Sequence, residues 1–234
     1  MPADPRLIVA LDLPTRAEAE SLVERLGDSV SFYKIGLQLL ATGGMAMAAD
    51  LKKRGRQVFL DWKLHDIGAT VEKATAAIAG TGACDFLTVH AEPQVLAAAV
   101  KGRGSNTGVK ILGVTVLTSL SGQDLAEIGY GIGVEMLVER RIRQALAAGA
   151  DGVVASPEEA HIARRIGGPD FLVVTPGIRP AGAALNDQAR AATPSYALDQ
   201  GASHLVVGRP ITAAEDPRAA ALAIGAEMGG VAVA

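Results

Sequence analysis

The feature that most constrains this chain is an alternation repeated eight times, in which a short continuous apolar run is followed by a longer Ala-rich segment whose charges recur at helical spacing. The runs are Leu7–Leu13, Phe32–Ile35, Gln57–Lys63, Phe86–His90, Lys110–Leu117, Gly152–Ala155, Phe171–Pro176 and His204–Val207. They read as strands covered on both faces, because a half-exposed strand alternates apolar and polar residues and these largely do not. The intervening segments predict helices over Arg16–Leu26, Leu37–Arg54, Thr70–Gly80, Pro93–Val100, Gly133–Ala148, Pro157–Ile166, Pro194–Gln200 and Asp216–Met228. Eight βα units with no linker, repeat period or low-complexity tract predict one closed (β/α)8 TIM barrel over residues 1–234, a length that suits the fold. An open doubly wound sheet fits less well, since no G-x-G-x-x-G turn follows the first run.

Charge and composition narrow the function classes. The 22 Lys+Arg against 25 Asp+Glu leave a net charge of −3, with no basic field for nucleic acid and no polybasic surface for anionic lipid. At 49% hydrophobic residues the chain is too apolar for disorder. Four Phe, three Tyr and one Trp are few, so the core is expected to rest on Ala, Leu, Val and Ile. The single cysteine, Cys84, cannot close an intramolecular disulfide, and no Cys/His cluster has zinc spacing, which suits a reducing cytoplasm and predicts no metal. The run Leu7–Leu11 is too short for a signal-peptide core, and no stretch approaches the 18 apolar residues of a membrane span.

Local chemistry sets several boundaries. Lys52, Lys53 and Arg54 complement the negative end of a helix that Gly55 can stop in the left-handed region, and Gly149 and Gly201 play the same part before later strands. Two loops are long, Lys101–Gly108 and Gly177–Thr193. The second follows a strand and so belongs to the face on which barrels build their sites.

Polar residues gather at the C-terminal ends of the predicted strands: Asp12, Lys34, Asp61 and Lys63, His90, and then Thr118 and Ser119. With a side-chain period of two, Asp61 and Lys63 share one face while Trp62 takes the other, and Asp66 follows just past the strand. Carboxylates bracketing an ammonium read as a decarboxylation device. A substrate carboxylate pressed against a fixed one is raised in free energy, and the carbanion left by its loss is stabilised and protonated by the lysine. The same charges also read as a salt-bridge network at a barrel rim, although burying charges without a task is costly. A second cluster, Gly208 and Arg209 after the last strand, sits where barrels commonly hold phosphate, and the long loop with Arg179 and Gln188 can close over it.

These motifs resemble the orotidine 5'-phosphate decarboxylase family. The matching segments are Ala10-Leu11-Asp12, Tyr33-Lys34-Ile35-Gly36, Asp61–Thr70, Leu117-Thr118-Ser119, Val174–Arg179, Asn186–Arg190 and Val207–Thr212, in order along nearly the whole chain. The resemblance implies conversion of orotidine 5'-phosphate to UMP without metal or organic cofactor. It implies that Lys63 protonates pyrimidine C6 beside Asp61, and that Asp12 and Lys34 hold the ribose, Lys34 also joining the charged array. Thr118 and Ser119 would recognise the pyrimidine, Pro176 would bind substrate, and Arg179, Gln188, Gly208 and Arg209 would bind the phosphate. It further implies a homodimer in which Asp66, Ile67 and Thr70 reach the neighbouring site. Gly68 and Ala69 depart from the family's usual residues after His-Asp-Ile, and Ala91-Glu92-Pro93-Gln94 replaces an expected Gly-Gly pair after His90. His65 and His90 are read as structural, the proton donor being already supplied. The alternatives are a magnesium-dependent sugar-phosphate lyase of the same superfamily, which Lys34 disfavours because an ammonium repels a metal, and a silent phosphate-ligand barrel.

Overall fold

A computed structural model describes residues 3–180 and 192–229. Eight parallel strands close into a barrel in sequence order, β1 pairing with β8. The first units are β1 (Leu7–Ala10) and α1 (Arg16–Leu26), then β2 (Phe32–Gly36) with α2 (Leu37–Leu40) and α3 (Gly44–Lys53), then β3 (Gln57–Leu64) and α4 (Gly68–Thr81). They continue with β4 (Phe86–His90) and α5 (Pro93–Arg103), β5 (Lys110–Val114) with α6 (Gly122–Ile128) and α7 (Val134–Ala147), and β6 (Gly152–Val154) with α8 (Ala160–Gly167). The last are β7 (Leu172–Thr175) and α9 (Pro194–Asp199), then β8 (His204–Val207) with α10 (Arg209–Thr212) and α11 (Pro217–Gly229). Among the described residues no helix is long and apolar enough to cross a membrane.

Helix ends follow the local chemistry. Thr15 caps α1 by accepting the Glu18 N–H, and Gly55, Gly149 and Gly201 all take positive φ. The expected single helix Leu37–Arg54 is instead two. Gly43 stands at φ +100°, and a Cβ on Gly44 would lie 2.8 Å from the Leu39 carbonyl oxygen, so the Gly pair turns the chain between α2 and α3. The fifth strand ends three residues earlier than expected, and α6 follows where no helix was predicted. A capping box nucleates it, Ser121 accepting the Asp124 N–H while Asp124 receives the Ser121 N–H. Of the expected loop Lys101–Gly108, the first three residues extend α5 until Gly104 takes φ +59°.

The core has two layers. Between barrel and helices it is mainly aliphatic as expected, with Tyr33 and Phe171 among the aliphatic side chains, and the buried thiol of Cys84 lies in it. Inside the barrel it is not, since Phe32, Phe59 and Phe86 all point inward with Ile8, Ala10, Leu112, Val174 and Val206. The rings of Phe32 and Phe86 meet edge-on at 5.0 Å, and His204 packs edge-on against both. The scarcity of aromatics thus hides a concentration, with three of four Phe filling the one space that eight converging strands enclose.

Candidate active site

One pleat above the aromatic layer the same strands present charge. Lys34 on β2 is buried, and its Nζ donates to both oxygens of Asp12 at 2.9 and 3.1 Å. The same ammonium lies 3.4 Å from Asp61 Oδ2. On the other side of Asp61, Lys63 Nζ donates to Oδ1 at 2.9 Å. Asp12, Lys34, Asp61 and Lys63 therefore form a row of alternating charge. Burial pushes the Asp61 carboxyl up, but the Lys34 and Lys63 ammonium groups and the hydrogen bonds from Lys63 and Thr88 outweigh it and hold it below the ordinary carboxylate value. Gly36 makes the row possible, because a Cβ there would lie 2.4 Å from Asp12 Oδ1 and 2.9 Å from Lys34 Nζ.

Lys63 reaches this position through an irregularity. In the pairing of β3 with β4, Leu60 stands opposite Leu87 and Leu64 opposite Val89, so Asp61, Trp62 and Lys63 together face the single residue Thr88. Lys63 takes φ +48°, and among the described residues no other non-glycine has positive φ. Its N–H donates to Thr88 Oγ1 at 3.0 Å, and that hydroxyl donates to Asp61 Oδ1 at 2.9 Å. Trp62 turns outward and packs against the aliphatic shell, as the alternation predicts.

The charged row lines a cavity of about 460 Å³ that also takes in Pro176, Arg179, Gly208 and Arg209. Arg179 is buried, its Nη1 donates to the Ile178 carbonyl at 2.8 Å, and its Nε has no partner among the described residues. Burial and the neighbouring Arg209 guanidinium lower its pKa. Two like charges held together at the end of a cleft favour an anion between them. A second cavity of about 210 Å³ opens beside Asp61 and Lys63, with Thr118 and Ser119 at its mouth and Phe59, Val114 and Val154 as an apolar wall.

Other predicted residues stand apart. Asp66 is exposed, its Oδ1 accepting the Ile67 N–H at 2.6 Å, and the chain does not fold it onto Lys63. Ile67 is 72% exposed and Thr70 is exposed beside it. Gln188 lies outside the described residues. His65 and His90 stack at 4.7 Å, and burial lowers the His90 pKa. In the unexpected segment after β4, Glu92 accepts from Arg141 at 2.7 Å, and Arg141 also donates to the Thr115 carbonyl below the Thr118–Ser119 turn. Two contributors are not singled out by the sequence. Gly36 stands there only within a motif, and Thr88 carries no charge, although its place two residues before His90 on the same inward face is a signal for it.

Comparison with known proteins bears on this geometry. Residues 5–224 match the sequence profile of the "Orotidine 5'-phosphate decarboxylase / HUMPS family". The chain is 66% identical over 231 residues to an orotidine 5'-phosphate decarboxylase of Caulobacter sp. strain K31, covering 99% of this chain and all of that one. It is 58% identical over 228 residues to the protein of that name from Rhodopseudomonas palustris strain BisB5, covering 97% and 96% of the two chains. The crystal structure of orotidine 5'-phosphate decarboxylase from Lactobacillus acidophilus superposes with a TM-score of 0.84 at 38% identity, covering 96% of this chain and 99% of the other.

Proposed function

The chain belongs to the orotidine 5'-phosphate decarboxylase / HUMPS family, and on that premise we propose that it converts orotidine 5'-phosphate to UMP and carbon dioxide in pyrimidine nucleotide synthesis. The observation that carries the reading is the row Asp12, Lys34, Asp61, Lys63 in a cavity that ends on two arginines. The phosphate sits at Arg179, Gly208 and Arg209, with Pro176 on the same side. The ribose lies against Asp12 and Lys34, and the pyrimidine lies before Thr118 and Ser119 over the apolar wall. The substrate carboxylate is then pressed towards Asp61, whose low pKa keeps it ionised. Cleavage of the bond from C6 to the carboxylate leaves its electron pair on C6. The Lys63 ammonium stabilises that charge and gives it a proton, and water reprotonates the amine. Binding energy from the remote phosphate holds the ring against this electrostatic stress.

Lys34 argues against a metal-dependent lyase, because its ammonium occupies the place between two carboxylates that a divalent ion needs. The exposed Asp66, Ile67 and Thr70 are ready to enter the site of a second copy, so the working form is a homodimer and each chain acts as one barrel domain.

The test is loss of the orotate absorbance on mixing orotidine 5'-phosphate with the protein in excess chelator. Turnover without added metal is expected. No decarboxylation, or turnover only with a divalent cation, overturns the reading. The shared site has its own check, since mixing inactive Asp66→Ala and Lys63→Ala variants restores activity only where two copies build each site.

A further inference from the structure

We infer that Thr88 is a positioning residue for the proposed decarboxylation, one hydroxyl setting both the carboxylate of Asp61 and the backbone of Lys63. The inference rests on the functional reading above and goes beyond it, because Thr88 is fully buried beneath the charged row and does not line either cavity at the mouth.

Three β3 residues facing one β4 residue leave the bulge without its ordinary ladder bonds. A lysine at φ +48° is in a conformation that an L residue adopts only at a cost, so the surroundings must hold it there. The Thr88 side chain is placed to do so, since its oxygen accepts the Lys63 N–H that the bulge has taken out of the ladder. A hydroxyl has one proton to give, and here it goes to Asp61 Oδ1, the same oxygen that receives Lys63 Nζ. A closed ring results, running from the Lys63 backbone through Thr88 and Asp61 to the Lys63 ammonium. Its consequence is that Lys63 Nζ and Asp61 cannot shift independently. Valine has the same shape at this position and supplies neither bond. Serine supplies both.

The experiment compares Thr88→Val, Thr88→Ser and Thr88→Cys with the parent for orotidine 5'-phosphate turnover, KM and UMP affinity. Misplacing a reacting group by about 1 Å costs as much as 10²-fold, so Thr88→Val is expected to lose about 10- to 100-fold in kcat. KM and UMP affinity should stay within about threefold, because the phosphate and ribose contacts do not pass through Thr88. Thr88→Ser should keep kcat within about threefold of the parent, as both hydrogen bonds survive. If Thr88→Val does not fold, Thr88→Cys takes its place, the thiol being a weak donor on a longer bond, and is expected to lose kcat likewise. Parental kcat in Thr88→Val or Thr88→Cys, a loss in Thr88→Ser equal to theirs, or equal losses in kcat and UMP affinity would each overturn the inference. An inactive parent chain overturns the functional reading along with it, whereas an active parent with an active Thr88→Val overturns this inference alone.

Discussion

Two residues along three neighbouring strands separate the halves of the barrel interior. Phe32, Phe59 and Phe86 form the lower level on β2, β3 and β4, and one inward position higher the same strands carry Lys34, Asp61 and Thr88. The lower level is held by apolar burial, worth about 1.5–3 kcal/mol for each phenyl ring. The upper level takes charges out of water, which costs several kcal/mol per ion unless each finds a partner. Its stability therefore depends on each buried ion keeping at least one partner, while that of the lower level does not. The strand period lets one structure do both, because the pleat that aims a ring at the barrel axis aims the next inward side chain at the same axis about 7 Å further up.

The sharpest way to break this comparison is to cut one residue from each level. Lys63→Ala is expected to lose about 10³-fold or more in turnover, since in the proposed reaction it removes both the proton donor and the nearest cation to the developing charge. Its melting temperature and UMP affinity should hardly change, because the amine lies at the mouth and Lys34 still pairs with Asp61. Steady-state decarboxylation, calorimetric titration of UMP and thermal unfolding check this, and normal turnover removes Lys63 from the chemistry. Phe32→Ala should behave in the opposite sense. The ring is fully buried and touches Phe86 and His204, so its loss is expected to cost about 3–5 kcal/mol in urea unfolding. Whatever protein stays folded should keep most of its kcat. If Phe32→Ala were instead inactive at full stability, the two levels would not be separable.

The two levels were not equally legible in the sequence. Eight apolar runs announced the closed barrel, because a strand covered on both faces has no polar face to show. Asp12, Lys34, Asp61, Lys63, Gly208 and Arg209 stood out because charge or glycine at a strand end breaks such a run. The aromatic level is hidden, since a count of phenylalanines carries no information about where they point. The spacing from Phe32 to Lys34 and from Phe59 to Asp61 held the clue that both share a face. The β3 bulge was beyond a period-two reading, which places Asp61 and Lys63 together whether or not the backbone is regular. Its cause is non-local, a hydroxyl on β4 replacing a ladder bond. The closeness of Arg179 to Arg209 likewise follows from β7 lying beside β8, two strands whose last residues, Thr175 and Val207, are 32 positions apart in the chain. The exposure of Asp66 shows the opposite limit, since the place proposed for it in the chemistry needs a second copy, which no single fold supplies.

The smallest effect tests whether the lower level tolerates charge at all. Burial pushes the His204 imidazole down to about 4, against the weaker pull of Asp4, with Arg6 adding to the fall. Above pH 6.5 the ring is neutral folded and unfolded, and it contributes nothing to the pH dependence. As pH falls from 6.5 towards 4 the unfolded chain takes up a proton that the folded chain refuses, so stability drops by up to about 3 kcal/mol at 1.36 kcal/mol per unit. Below that the loss is complete. His204→Phe should remove this component, because phenyl has nothing to protonate and suits the edge-on contacts with Phe32 and Phe86. The neighbouring Ser203 Oγ keeps its bonds to the Val173 N–H and carbonyl, so the variant strands no hydroxyl. Urea unfolding at pH 7.5 and 4.5 reads the difference. The parent should lose about 2–3 kcal/mol more than His204→Phe between the two pH values, the carboxylates being common to both. Equal losses would mean that the charged imidazole finds water or Asp4 in the folded state, and the lower level would then be as open to charge as the upper.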